Sequence, residues 1–184
     1  MTSATPGHSE ISLQPMTLEH LPGVIDLGRR VYDTNVMPYT GWSLTAVAAH
    51  LDTPSPACLV AVSDDRLAGF VLGSMSFEQR DDWGHLEWIA VDPDFQGHGV
   101  AGRLVRECCA VLESAGAVTV VTDVEVRNTA SSALMQRNGF TEGATVTLYV
   151  RHSGDGDDSA PARPPRRHLA NAAHQPPPGR GTAN

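Results

Sequence analysis

A glycine-rich segment in the middle of the chain constrains the fold more than any other feature. An apolar run at residues 88–91 leads into a turn around Pro93 and then into Gly97, Gly99 and Gly102, which open a helical pattern. The first N–H groups of a helix lack partners within the helix, and the helix dipole makes that end electropositive. Because glycine leaves room for a ligand beside those groups, the segment predicts a binding site for a pyrophosphate.

Two motifs fit this loop, and the first is the dinucleotide-binding pattern G-x-G-x-x-G. Residues 97–102 match it, and Asp123 follows at roughly the 20-residue distance at which the pattern places an acidic residue. However, residues 92–96 separate the strand from the first glycine, whereas a dinucleotide loop turns tightly. Only about 50 residues of patterned chain follow, too few for the second half of such a sheet. These features disfavour an enzyme that uses a nicotinamide dinucleotide.

The second motif gives a family resemblance. Read from Gln96 to Ala101, the loop is similar to the Q/R-x-x-G-x-G/A signature of the GCN5-related N-acetyltransferase (GNAT) family, which binds acetyl-CoA. Residues 128–140 resemble the N-x-x-A-x-x-L-Y-x-x-x-G-F segment that closes a GNAT domain. Ser131 stands where alanine is usual, and Met135 where tyrosine is usual. From the two segments together, the chain is identified as a member of the GNAT family.

The composition suits one domain with a buried core, because 41% of the 184 residues are hydrophobic. We expect a flexible N-terminus at residues 1–9, the GNAT-like domain at residues 10–151 and a disordered tail at residues 152–184. The tail is rich in Pro, Gly and Arg, so it cannot bury enough surface to offset the entropy of ordering. No apolar run reaches the roughly 20 residues that span a membrane, and no signal-peptide pattern opens the chain, which predicts a cytoplasmic protein.

The charge balance restricts the possible partners. The formal net charge is −8, and all 13 basic residues are arginine. An acidic domain disfavours nucleic acid and favours a cationic acceptor, and the lack of lysine excludes a Walker-type phosphate loop. The three cysteines, Cys58, Cys108 and Cys109, have no metal-ligand spacing, so no metal is expected. We expect a small-molecule or peptide amine as partner, without nucleic acid or membrane; a homodimer is left open.

The periodicity of apolar residues predicts the order strand, two helices, three strands, helix, strand, helix, strand. The strands are predicted at residues 11–16, 57–63, 67–77, 84–91, 118–125 and 140–150, and the helices at residues 18–32, 43–51, 99–115 and 129–137. Thr17 and Ser43 are plausible N-caps. This is the GNAT order, and it implies an α/β domain with a mixed, mostly antiparallel sheet flanked by helices on both faces.

Acetylation of an amine proceeds faster when a general base removes the proton of the amine. A lysine-like amine with a pKa near ~10.4 is protonated at neutral pH, a handicap of about 4–5 kcal/mol. Alternation along residues 84–91 predicts that His85, Glu87 and Ile89 share one face of the strand, and that Leu86, Trp88 and Ala90 share the other. The resemblance implies that the first two positions face the acceptor, so Glu87 and His85 are candidate bases. Asp123 and Glu125 on the next strand rank after Glu87.

The resemblance also implies the residues that hold the cofactor. The main chain near Ile89 would supply the N–H donor for the thioester oxygen, and the strand around it would pair with the pantetheine arm. The pyrophosphate would accept hydrogen bonds from the main-chain N–H groups of the glycine-rich loop. Asn128 would contact the cofactor or cap the next helix. The candidate cofactor-binding residues are Ile89, Ala90, Val91, Gln96, Gly97, His98, Gly99, Val100, Ala101, Gly102, Arg103 and Asn128.

The missing tyrosine leaves a second function open. Met135 cannot protonate the departing thiolate, but a thiol with a pKa of about 8.5 needs only about 2 kcal/mol of help, which a water or the Ser131 hydroxyl can give. The favoured function is an N-acetyltransferase; the alternative is a non-catalytic acyl-CoA-binding module with a degenerate acceptor site. The resemblance implies an acceptor pocket built by the first two helices and the late strands. Its aromatic and apolar residues form either a lid over the acceptor or part of the core: Tyr32, Met37, Pro38, Tyr39 and Trp42.

Overall fold

The structure, a computed structural model, describes residues 10–32, 41–53, 56–75 and 77–149. In these ranges the strands are β1 (Ile11–Pro15), β2 (Leu59–Ser63), β3 (Arg66–Ser74), β4 (Trp83–Val91) and β5 (Thr119–Val121). The helices are α1 (Leu21–Val31), α2 (Leu44–Leu51), α3 (Val100–Ser114) and α4 (Thr129–Arg137). Residues 1–9 and 152–184, for which flexibility and disorder were expected, lie outside the described ranges, as do Met37, Pro38 and Tyr39.

The five strands form one sheet in the order β1-β2-β3-β4-β5. The first three pairings are antiparallel, and β5 runs parallel to β4. The parallel pairing follows from the connection, since α3 carries the chain back across the sheet between these two strands. The prediction of a mixed, mostly antiparallel sheet is confirmed.

Helices cover both faces of the sheet, as predicted. On one face α3 and α4 pack against the sheet through a core that includes Leu104, Leu112 and Met135. On the other face α1 and α2 pack through a core that includes Leu27, Val47 and Phe70. Strands β2 and β3 are buried on both faces, which is why their sequences read as almost continuous apolar runs.

Polar side-chain caps define the starts of α2 and α4. The Ser43 hydroxyl accepts a hydrogen bond from the Ala46 N–H at 3.2 Å and begins α2, as the sequence predicted. The Asn128 side chain accepts one from the Ser131 N–H at 3.0 Å and begins α4. Thr17 caps a short 3-10 turn, Leu18–His20, that precedes α1 rather than α1 itself. None of the described helices is both long enough and apolar enough to cross a lipid bilayer.

The strand predictions at the C-terminal end of the domain are wrong. The strand predicted at residues 118–125 is reduced to Thr119–Val121, and residues 140–149 form no strand. An alternating pattern becomes a strand only where a neighbouring edge supplies hydrogen bonds and one face is buried. Here β5 pairs over three residues only, and Val146, Leu148 and Tyr149 are exposed. Strand β3 also ends at Ser74 instead of residue 77.

Candidate active site

Strand β4 carries an extra residue that its partner β3 does not match. Leu72 pairs with Trp88, whereas the next residue, Gly73, pairs with Leu86, so Glu87 has no partner across the ladder. Such a β-bulge interrupts the alternation of side chains and bends the strand. The centre of β4 therefore cannot follow a simple two-residue period.

The bulge corrects the predicted faces of β4. His85 and Glu87 do share a face, the one covered by α2, since Glu87 contacts His50 of that helix. The predicted position of Ile89 on the same face is wrong, because Ile89 packs against the α3 core. Trp88 and Ala90 lie on the α2 side, whereas Leu86 lies on the α3 side. The side chains that follow the bulge therefore lie on the opposite faces from those that strict alternation predicts.

Beyond the bulge, one edge of β4 is open within the described chain. Strand β5 pairs only with residues 83–85 of β4. The N–H of Asp92 donates to the Ala68 carbonyl of β3 at 2.9 Å, and in an antiparallel ladder such donors alternate. The N–H groups of Ile89 and Val91 therefore point away from β3, toward the side from which β5 has departed. This edge provides free main-chain donors beside a gap in the sheet.

Two histidine–carboxylate pairs line the α2 side of this gap. His85 is buried, and its Nε2 lies 3.3 Å from Asp123 Oδ1. His50 Nε2 lies 3.5 Å from Glu87 Oε2, with 28% of the Glu87 side chain exposed. Burial lowers the pKa of His50, and attraction to Glu87 only partly offsets this, so the ring is neutral at pH 7. Asp123 lies after the end of β5, in irregular chain.

His50 is a site residue that the sequence did not reveal. It lies on α2, 37 residues before Glu87 in the chain, and its only local signal is the apolar period of a short helix. The positions of Asp123 and Glu125 were predicted on a strand, whereas both follow the end of β5. Glu125 is exposed. In the structure, His85 contacts Asp123, and Glu87 on the same face contacts His50.

An aromatic cluster lies next to these pairs, between α1 and the sheet. The Tyr32 ring is 5.0 Å from the ring of Trp42 and 4.8 Å from that of Trp88, measured between centroids. Trp42 stacks on Phe70 at 5.5 Å and donates from its indole N–H to the Ile25 carbonyl. Tyr32 and Trp42 therefore belong to the core beneath the site.

The glycine-rich loop forms an open cradle at the start of α3. Gly97 and Gly99 have φ angles of 79° and 74°, which disfavour other residues. A Cβ built at either position would meet nothing within 4 Å, so there is space for a ligand. Helix α3 has no side-chain cap and no acidic residue in its first turn. Its free N–H groups suit a pyrophosphate.

Salt bridges fix the turn that leads into the cradle. Arg30 Nη2 donates to Asp92 Oδ2 at 2.9 Å, and the Asp94 N–H donates to Asp92 Oδ1 at 3.0 Å. Burial of the Asp92 carboxyl opposes its ionisation, but these hydrogen bonds outweigh that effect and lower its pKa. In the same turn, Arg66 Nη2 donates a hydrogen bond to Asp94 Oδ2 at 2.8 Å. The loop therefore has a defined position relative to α1 and β3.

Some candidate cofactor residues have other contacts. The Arg103 N–H donates to the Gly99 carbonyl within α3, and the Arg103 guanidinium donates to the Ile11 carbonyl. Arg103 is thus already engaged within α3 and with β1, whereas the cradle presents the main chain of residues 97–102. The Gln96 amide reaches the Val91 carbonyl at 3.4 Å. Asn128 serves as the cap of α4.

Met135 is a core residue, as the sequence predicted. It is buried between α3 and α4 with 5% exposure, and it offers no proton to a leaving group. Cys58 and Cys108 are likewise buried and free. Burial raises the pKa of the Cys58 thiol to about 11. Within the described ranges, no group of His, Cys, Asp and Glu side chains has the geometry to hold a metal ion.

The described residues thus place an open-edged sheet next to a glycine-lined helix start, and the family comparison agrees with the resemblance seen in the sequence. Residues 29–140 match the model of the Acetyltransferase (GNAT) family. This is more than half of the chain, and the chain therefore belongs to that family.

Individual relatives are N-acetyltransferases. The ribosomal protein bS18-alanine N-acetyltransferase of Salmonella typhimurium is 33% identical over 102 residues, which cover 55% of this chain and 66% of that protein. The aminoglycoside N(6')-acetyltransferase type 1 of Acinetobacter genomosp. 13 is 31% identical over 102 residues, which cover 52% of this chain and 70% of that protein. The chain thus spans about two thirds of the length of these relatives.

Solved structures share the fold. A crystal form of an aminoglycoside N-acetyltransferase in complex with CoA superimposes with a TM-score of 0.66 and 22% identity, covering 80% of this chain and 99% of that one. The ribosomal-protein-S18-alanine N-acetyltransferase from Escherichia coli has a TM-score of 0.62 and 23% identity, covering 73% and 80%. At these identities the likeness concerns the fold.

Proposed function

We propose that the protein transfers the acetyl group of acetyl-CoA directly to a primary amine. The observation that carries the proposal is the open edge of β4, which adjoins the phosphate cradle and the histidine–carboxylate pairs. A thioester lying along Ile89 and Val91 would meet main-chain N–H donors on one side and a base on the other. The family membership and the CoA complex of a structural neighbour support the same cofactor.

The cofactor fits the residues present. The pyrophosphate would lie on the N–H groups of residues 97–102, and the pantetheine arm would extend along Ile89, Ala90 and Val91 as an added strand. Gln96 would have to leave the Val91 carbonyl when that arm binds, because its amide now occupies one acceptor there. Since the whole chain is acidic, these local donors must attract the anionic cofactor against the overall field.

Glu87 is our candidate for the base. Its carboxylate is partly exposed toward the gap, whereas His85 is buried and engaged by Asp123. The amine nitrogen would form the C–N bond with the carbonyl carbon and pass its proton to Glu87, directly or through water. The neutral His50 ring would orient the carboxylate. Collapse of the tetrahedral intermediate breaks the C–S bond, and the thiolate takes a proton from water or from Ser131.

The acceptor belongs to the class of cationic amines. The acidic side chains at the gap, Glu87 and Asp123, favour a positively charged partner over an anionic one. The curated relatives act, by their names, on an alanine of a ribosomal protein or on an aminoglycoside. The two acceptor types share a primary amine but differ in their surroundings, so peptides with N-terminal alanine and aminoglycosides are the first two arms of a test.

The experiment combines cofactor binding with release of the CoA thiol. Calorimetry with CoA checks the cradle, and thiol release from acetyl-CoA is followed against peptides, aminoglycosides and a broader amine library. We expect Glu87→Gln to lower kcat by about 10²- to 10⁴-fold with CoA affinity retained. Glu107→Gln, at an exposed site on α3, is the matched control and should have no effect. If CoA binds but no amine is acetylated by the wild type, the acyl-CoA-binding module is the correct function.

A further inference from the structure

Tyr32 brings a hydroxyl group to the open edge of β4. The residue follows the last turn of α1, and its ring is fixed by edge contacts with Trp42 and Phe70 and by a tilted contact with Trp88, at centroid distances of 4.8–6.4 Å. A phenol held in this way has little freedom to rotate away from the strand. Its polar atom is therefore positioned by packing.

The Tyr32 hydroxyl is buried without a hydrogen-bond partner in the described part of the chain. Burial raises the pKa of the phenol, and only the nearby main-chain N–H of Ile89 acts in the opposite direction. That N–H points into the gap left by β5, so the hydroxyl lies at the same place without completing a good hydrogen bond to it. Leaving a buried hydroxyl unpaired is unfavourable for folding, and phenylalanine would fill the same aromatic cluster without that penalty.

We propose that the Tyr32 hydroxyl donates a hydrogen bond to the thioester carbonyl oxygen, next to the N–H of Ile89. The inference rests on the proposed acetyl transfer and adds a catalytic residue to it. Two convergent donors of this kind stabilise the oxygen as it becomes negative. The thioester oxygen would then be the acceptor that the Tyr32 hydroxyl lacks in the free protein.

The role involves no transfer of the phenol proton. When the amine attacks the carbonyl carbon, the π electrons of the C=O bond move to oxygen, and the two donors strengthen their hydrogen bonds to it. When the C–S bond breaks, the C=O bond re-forms and Tyr32 keeps its proton. Tyr32 therefore does not replace the acid missing at Met135, which lies in the core on the other face of the sheet.

The test compares Tyr32→Phe with the wild type in the full chain. We expect kcat to fall by about 10- to 100-fold, since the Ile89 donor remains, and the KM for acetyl-CoA to stay within about twofold. The melting temperature should be unchanged or higher. Tyr149→Phe makes the same change at an exposed tyrosine and should match the wild type in every measurement.

A spectroscopic readout separates a donor from a structural residue. In a CoA ketone that has CH₂ in place of the thioester sulfur and a ¹³C-labelled carbonyl, hydrogen bonding lowers the carbonyl stretching frequency. Tyr32→Phe should move the bound band back toward its solution value. Equal kcat values, or an unmoved band, would overturn the inference while acetyl transfer by the wild type stands. If the wild type binds neither CoA nor the ketone, the proposed function and the inference fail together.

Discussion

The substitution Gly28→Ala tests how tightly the aromatic cluster supports the site. Gly28 lies in α1 directly against the Trp42 indole, and a Cβ at this position would come within 2.1–2.4 Å of three of its atoms. Ordinary contact begins near 3.4 Å, so the ring must retreat by about 1.3 Å. The retreat would disturb the stack on Phe70 and the indole hydrogen bond to the Ile25 carbonyl.

The magnitude follows from these contacts. Overpacking of a core costs about 1–3 kcal/mol, and loss of the indole hydrogen bond costs about 1 kcal/mol. Weakened aromatic pairs add roughly 0.5–1.5 kcal/mol, whereas alanine gains about 1 kcal/mol over glycine in a helix. We expect a net loss of about 2–4 kcal/mol in the free energy of unfolding. This corresponds to a melting temperature lower by about 5–15 °C.

Gly23→Ala is the matched control on the same helix. A Cβ there meets Leu67 Cδ2 at 3.4 Å, an ordinary contact, and the position is exposed. Only the higher helix propensity of alanine over glycine then changes the free energy of unfolding. The variant should be more stable than the wild type by up to about 1 kcal/mol. Urea unfolding, monitored by tryptophan fluorescence, measures both changes.

The opposite signs make the comparison decisive. If Gly28→Ala and Gly23→Ala were equally stable, the Trp42 indole would move without loss of stability. That result would contradict a rigid aromatic cluster. If the cluster positions Tyr32 as proposed, Gly28→Ala should also lower kcat under conditions in which the variant remains folded. Unchanged kcat in a destabilised variant would separate the cluster from the chemistry.

Two further predictions concern pH. Because the pKa of Asp92 is lowered in the folded protein, its ionised form stabilises above the unfolded value near ~3.9 and this contribution is lost as the pH falls further. Asp92→Asn should thus cost about 1–3 kcal/mol at pH 7, and the difference from the wild type should shrink in unfolding titrations below pH ~4; a constant difference would contradict the role of Arg30. Burial lowers the pKa of His50 in the folded protein. Just below pH ~6.5, His50 is therefore protonated in the unfolded chain but not in the folded protein. His50→Gln should therefore lose less stability than the wild type on acidification from pH ~6.5, and an identical slope would refute this.

The sequence was sufficient where a structural outcome depends on neighbouring residues. The α4 bounds, Thr129–Arg137, were predicted to the residue because Asn128 and Gly139 mark the ends. The cap at Ser43 and the glycine-rich cradle depend likewise on local backbone chemistry. The placement of helices on both faces of the sheet followed from the order of the predicted helices and strands.

The sequence was insufficient where the outcome depends on pairing between distant segments. The bulge at Glu87 exists because Leu72 and Gly73 pair with residues that are not consecutive, and no pattern within β4 records this. His50 reaches the site only because α2 packs over that face. The final predicted strand failed for the converse reason, since its alternating pattern found no paired edge.

The bulge explains how one short stretch of chain can supply both the proposed base and the proposed oxyanion donor. Trp88 is anchored in the core beneath α1 and α2, and Ile89 in the core beneath α3, so the peptide between them is held from both faces of the sheet. A donor fixed in this way needs no reorganisation when the oxygen becomes negative, which is the condition for electrostatic stabilisation. Glu87, immediately before this peptide, faces the α2 side because of the same extra residue. Removing the bulge would therefore misplace the carboxylate and the N–H together, even if both residues were retained.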